Sequence, residues 1–279
     1  MPEAAVPARS RRHRARATIT TTALVLASVG LAACGGDRPT IEAKTPVSSA
    51  PSVSSSSSTS TTISLVDQAP SFANLLGYIA QPAGKPQVFT DPDTASAPID
   101  VAASTEAGAP TTFAILGNAE EPNPAHPGWL KVVLPTRPNG ATGWLQASTV
   151  QITKTTFRVF VDLTGRTLRV EDSGKSVLQV PIAVGTEDNP TPTGATFITE
   201  LIENVNPNGS YGPYAFGLAL HSDTLTEFAG GNGQVGVHGT NQPALIGQRV
   251  SHGCVRLAND DIRKLVDLAL PLGAPVFVT

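Results

Sequence analysis

Two stretches near the C-terminal end decide how this chain is read: GVHGT (236–240) and RVSHGCVRL (249–257). GQVGV (233–237) reads as a strand that delivers His238. Only two cysteines occur in 279 residues, Cys34 and Cys254. Cys254 stands in a His-Gly-Cys turn, two residues after His252 and sixteen after His238. A disulfide half, a metal ligand, a buried small hydrophobe and a nucleophile all fit a cysteine there. Residues i and i+2 of an extended strand share a face, yet Gly253 permits a tight bend between His252 and Cys254. His238 reaches Cys254 only through tertiary folding, which suits a positioned base. A thiol attacks as its thiolate, and a free cysteine with pKa about 8.5 is only a few per cent ionised at pH 7. A histidine within hydrogen-bond reach takes the proton and later returns it to a leaving amine. Gly253 leaves the main chain open to substrate, and N–H groups near Cys254 are candidates for an oxyanion hole.

Working outward, composition indicates a mainly β protein. Gly and Pro number 25 and 24, aromatics are few, and short Val/Thr/Ile/Leu runs alternate with turn residues. The formal charge of -3 hides an asymmetry: five arginines lie in the first 16 residues, leaving 14 basic against 21 acidic residues in the remainder. No basic face is visible, which argues against nucleic acid as a partner.

The N-terminus reads as an address. Arg9, Arg11, Arg12, Arg14 and Arg16 precede an apolar, small-residue core of 17 residues, Ala17 to Ala33, interrupted by Thr18, Thr20, Thr21 and Thr22. A membrane-spanning helix needs about 20 mostly apolar residues, so a signal peptide over 1–33 is expected. LAACGG (31–36) resembles the lipobox of bacterial lipoproteins, which implies a diacylated Cys34 and a lipid-anchored, extracytoplasmic protein at the cell membrane, reaching the wall. The Arg11-Arg12 pair leaves Sec and Tat export open. With Cys34 lipidated, Cys254 has no intrachain partner, and a lone thiol in an oxidising compartment is a liability unless it is used.

Residues 34–76 are expected to be a Ser-rich, disordered tether. Short strands then fill 77–152. There WLKVVLPTRPNGATGWL (129–145) resembles a bacterial SH3-like module, with Asn139-Gly140 as the turn and Trp129 and Trp144 as core or as a peptide groove. A second β domain is expected over 155–279. In NDDIRKLVDLALPLG (259–273), Ile262, Leu265, Val266, Ala269 and Leu270 mark one face of a helix, with Asn259 or Asp260 as cap and Pro271 and Gly273 as stop.

VHGT and VSHGCVRL, with NPTPTGATF (189–197) before and LPLGAPVFV (270–278) after, resemble the YkuD-type L,D-transpeptidase family. The resemblance implies a small SH3-like barrel followed by a β-sandwich catalytic domain with one short C-terminal helix. It implies peptidoglycan stem peptides as substrate, with Cys254 attacking the bond before D-alanine and another stem's side-chain amine resolving the thioester into a 3→3 cross-link. Carried over, Cys254 is the nucleophile and His238 the base and acid. The Gly239 carbonyl orients the imidazole, and His252, Gly253 and the Cys254 amide line the oxyanion side. Arg256 binds or braces a substrate carboxylate, and Ser251, Thr240 and Asn241 line the pocket. Carbapenem-type β-lactams are implied as covalent inhibitors, and no cofactor. A water acceptor, giving an L,D-carboxypeptidase, and a wall-binding lipoprotein without turnover are the alternatives. A zinc site from His221, His238, His252 and Cys254 has suitable ligand types, but H-G-C is a poor spacing for two ligands and no CxxC or HExxH accompanies it.

Overall fold

The computed structural model describes residues 64–279 except Pro122 and Ala229. The expected signal peptide, Cys34 and the tether up to residue 63 lie outside the described residues. The first module comprises β1 (Leu75–Pro82), β2 (Val88–Phe89), β3 (Pro98–Ile99), β4 (Phe113–Leu116), β5 (Trp129–Val133), β6 (Thr142–Gln146) and β7 (Val150–Lys154). They form one antiparallel sheet in the order β3-β2-β6-β5-β4-β1-β7. β1 starts at Leu75, ahead of the boundary expected at Gly77, and Leu75 is fully buried. Asn74 prepares that entry. Its buried amide donates to the carbonyls of Leu65 and Ala69 and accepts the Ser71 N–H, so the chain wraps around one polar side chain before extending. Trp144 is core, whereas Trp129 is half-buried, edge-on to Phe89.

The second module comprises β8 (Phe157–Asp162), β9 (Thr167–Asp172), β10 (Lys175–Pro181), β11 (Val184–Gly185), β12 (Gly194–Glu203), β13 (Tyr214–His221), β14 (Gln234–His238), β15 (Arg249–Ser251), β16 (Val255–Arg256), the helix α1 (Asn259–Asp267) and β17 (Pro275–Val278). Eight strands run in the order β10-β9-β8-β17-β12-β13-β14-β16, while β11 and β15 pair separately. β12 belongs to both halves: residues 194–197 pair with β17, and after a bulge between Ile198 and Glu200 the rest pairs with β13. A bulge bends its strand and raises its twist, so the two halves close over one apolar core. Val159, Val161, Leu168 and Val170 fill it from one side, Phe216, Leu218, Val235, Val237, Val255 and Leu257 from the other. The fold is therefore mainly β and sandwich-like, with one α-helix among the described residues.

α1 buries Ile262 and Leu265 in that core, as the 3.6-residue period requires. Two details differ from expectation. The cap position is Ala258, with no side-chain bond, because Asn259 Oδ1 accepts the Thr240 N–H at 2.8 Å instead. The helix also ends earlier: Asp267 is its last residue and Ala269 adopts φ 53°, which turns Ala269 to solvent and returns Leu270 to the core.

The modules share a second apolar cluster. Leu75, Ala114, Leu116 and Val133 of the first meet Phe197, Ala219 and Phe277 of the second. The β5–β6 turn also reaches across. Asn139 bonds both the N–H and the carbonyl of His221 at 2.8 Å, and the Arg137 guanidinium donates to the carbonyls of Ser222 (2.7 Å), Leu225 (3.1 Å) and Asn232 (3.2 Å).

Candidate active site

β14 and β16 are parallel neighbours, with Val237 opposite Val255 and His238 opposite Arg256. Strand side chains alternate between faces. Val235, Val237, Val255 and Leu257 enter the core, so Gly236, His238, Cys254 and Arg256 fall on the other face. Pairing thus joins residues eighteen positions apart and sets His238 and Cys254, sixteen apart, on one face. The Gly236 N–H donates to Cys254 Sγ at 3.4 Å. A Cβ built on Gly236 would lie 3.9 Å from His238 Cδ2 and 4.0 Å from Sγ, so the missing side chain leaves a gap flanked by both groups. Both open into one cavity of about 360 Å³, walled by Tyr211, Phe228, Glu200 and, from the first module, Glu106 and Ala107.

His238 is buried, and its Nδ1 lies 2.6 Å from the Gly239 carbonyl. A carbonyl only accepts, so Nδ1 carries the proton and Nε2 is the free base. Burial lowers the His238 pKa to about 4; the Gly239 bond opposes this and Arg256 adds to the lowering. Burial likewise raises the Cys254 thiol, with the Gly236 N–H and Arg256 opposing. The resting pair is therefore neutral thiol and neutral imidazole. Such a pair performs general-base chemistry, in which the proton leaves sulfur as an electrophile arrives.

The turn is braced from within. Ser251 Oγ donates to the Cys254 carbonyl at 2.6 Å and accepts the Gly253 N–H at 3.2 Å. Gly253 has φ 115°, a left-handed conformation that side chains resist. The Gly253 N–H is thus engaged, whereas the Cys254 N–H donates to no group among the described residues. The His252 ring is exposed and stacks on Phe228 at 5.0 Å. A Cβ on Gly239 would come within 2.5 Å of Asn259 Oδ1 and 2.9 Å of Pro213 Cδ, so this packing requires glycine at 239.

Several expected pocket residues do not line the cavity. Ser251 is an internal brace, and Thr240 is buried, tied to Asn259 and to the Gln242 N–H. Asn241 faces a separate surface hollow beside Asn208 and Asp260. Arg256 acts on His238, Cys254 and Tyr211 through its charge, and its buried Nε has no partner among the described residues. His221 is held by its main chain, and burial with Arg137 lowers its pKa. Among the described residues no three His, Cys, Asp or Glu side chains gather as a metal site. Sequence reading missed Tyr211, whose ring packs 4.7 Å from that of His238, as well as Gly236, Phe228 and Glu200. Of these, only Gly236 carried a signal, its place two residues before the histidine.

A buried histidine with a fixed tautomer and a thiol thus share one cavity on a β-sandwich. Residues 156–278 match the model of the L,D-transpeptidase catalytic domain, YkuD. YkuD of Bacillus licheniformis is 36% identical over 123 residues, covering 44% of this chain and 66% of the relative. YkuD of Bacillus subtilis is 32% identical over 122 residues, covering 44% and 65%. The solved catalytic domain of the E. faecium L,D-transpeptidase is 22% identical, covering 44% of this chain and 96% of that one, with a TM-score of 0.34. The chain therefore carries a catalytic domain of the YkuD-type L,D-transpeptidase family. It spans about two thirds of the length of those two Bacillus relatives.

Proposed function

We propose that this protein is a peptidoglycan L,D-transpeptidase with Cys254 as nucleophile and His238 as general base and acid. The observation that carries the reading is the single cavity holding Cys254 Sγ and an imidazole whose Nδ1 is fixed on Gly239. The Sγ proton passes to His238 Nε2 as sulfur adds to the carbonyl carbon before D-alanine. The developing oxyanion meets the Cys254 N–H. The C–N bond breaks, and the Nε2 proton goes to the departing D-alanine amine, leaving a thioester. A second stem's side-chain amine adds to the thioester, gives its proton to Nε2, and the proton returns to sulfur as the cross-link forms. Water in place of the amine gives trimmed tripeptide. Lipid anchoring at Cys34, the position at the outer membrane face and the SH3-like character of residues 77–152 belong to the same reading, as does carbapenem acylation of Cys254.

Intact-mass spectrometry tests it. Wild type incubated with a tetrapeptide stem gains the mass of the acyl tripeptide and releases D-alanine, and Cys254→Ala gains nothing. An adduct of equal yield on Cys254→Ala refutes the assignment. Dimers or trimmed tripeptides among the products decide between amine and water.

A further inference from the structure

Two carboxyls, Glu106 and Glu200, stand among the described residues lining the cavity, and of these Glu200 is the buried one. The β12 bulge sets it opposite Gly217, which in turn pairs with Gly236 beside the nucleophile. Glu200 Oε1 would lie 2.6 Å from a Cβ on Gly217, so that glycine vacates the space the carboxyl fills. Glu200 is 5% exposed, yet Oε2 has no hydrogen-bond partner among the described residues. The neighbouring amide does not help. Gln234 Nε2 donates to Thr199 Oγ1 and to the Leu218 carbonyl, which uses both of its N–H groups. No Lys or Arg appears among the described residues lining the cavity, and Glu106 stands in its wall from the first module. Arg137, the nearest guanidinium from that module, is committed to three carbonyls.

A buried carboxyl without a donor is costly unless a ligand supplies one. We infer that Glu200 is the recognition group for a primary ammonium carried on the side chain of the donor peptide's third residue; this rests on the transpeptidase reading above. The geometry fits. Gly217, under the carboxyl, is one strand spacing, roughly 5 Å, from Gly236, whose N–H meets the sulfur. A flexible four-carbon stem ending in an ammonium bridges that distance while its own carbonyl faces Cys254. Glu106, exposed in the lining of the same cavity, adds negative charge.

The test compares two tetrapeptide donors that differ only in the third residue, lysine or norleucine, in single-turnover thioester formation read by intact mass. Wild type is expected to acylate with the lysine donor roughly 10- to 100-fold faster, the range of a charge-assisted hydrogen bond. Glu200→Gln is expected to remove that preference. Equal rates in wild type overturn the inference whether or not the variant folds, and so does a preference that survives Glu200→Gln. A wild type that forms no thioester with either donor defeats the transpeptidase reading itself.

Discussion

The neutrality of His238 gives the sharpest quantitative expectation. Histidine ordinarily titrates near pH 6.5, and burial brings His238 down to about 4. As pH falls through this window the unfolded chain binds a proton at this position and the folded chain does not. Stability contributed by the neutral state is therefore present above pH 6.5 and lost progressively down to about pH 4. The loss is about 3 kcal/mol, from roughly 2.5 pKa units at 1.36 kcal/mol each. Urea unfolding of wild type and His238→Gln at pH 7 and pH 4 reads the difference. Wild type should lose about 3 kcal/mol more than the variant, because His221, also lowered by burial, is common to both. The same shift governs rate. Carbapenem acylation should stay level from pH 7 to about pH 5 and fall with a midpoint near 4. A midpoint near 6.5, or equal pH slopes in the two proteins, would falsify the neutral-pair account.

Two further perturbations probe the supports of the site. Arg137→Ala removes three donors from the carbonyls of Ser222, Leu225 and Asn232. It should cost about 1–2 kcal/mol, since Arg137 is an exposed residue whose bonds are partly open to water, and speed amide exchange across residues 223–232; unchanged exchange there counts against the strap. Gly239→Ala drives a methyl against Asn259 Oδ1 and Pro213 and must move the carbonyl that fixes the imidazole. Stopped-flow acylation should slow by about 10- to 100-fold, and a wild-type rate would show that the carbonyl does not position the ring.

The residues of the centre were legible in sequence because their chemistry is local. A cysteine next to a glycine and a histidine at the end of a strand-like run are statements about a few residues each. The helix was legible for the same reason: Ile262 and Leu265 obey its period. Long-range pairing was not. RPNG reads as an ordinary hairpin turn, and nothing within it says that Asn139 brackets the backbone of His221 82 positions away. Asn259 reads as a helix cap because that is the local use of its side chain; a tertiary donor, the Thr240 N–H, competed and won. Glu200 sits in a strand whose pattern gives no reason to single it out. Its role follows from the bulge that sets it over Gly217, and a bulge is a property of the pairing.

The same distinction explains why the first module is part of the site. Its apolar contribution, Leu75, Ala114, Leu116 and Val133, covers Phe197, Ala219 and Phe277, which lie on strands β12, β13 and β17. Alternation along β13 sends Phe216, Leu218 and Leu220 into the catalytic core and leaves Ala219 and His221 on the face the first module covers and Gly217 on the floor of the cavity. That one face therefore serves two purposes along its length: near Ala219 it is a seam between the modules, and near Gly217 it lines the cavity. The Arg137 and Asn139 turn lies where one becomes the other, gripping the segment from Ser222 to Asn232 that carries Phe228 over the cavity. Positioning of the cavity wall and cohesion of the two modules are thus the same set of contacts.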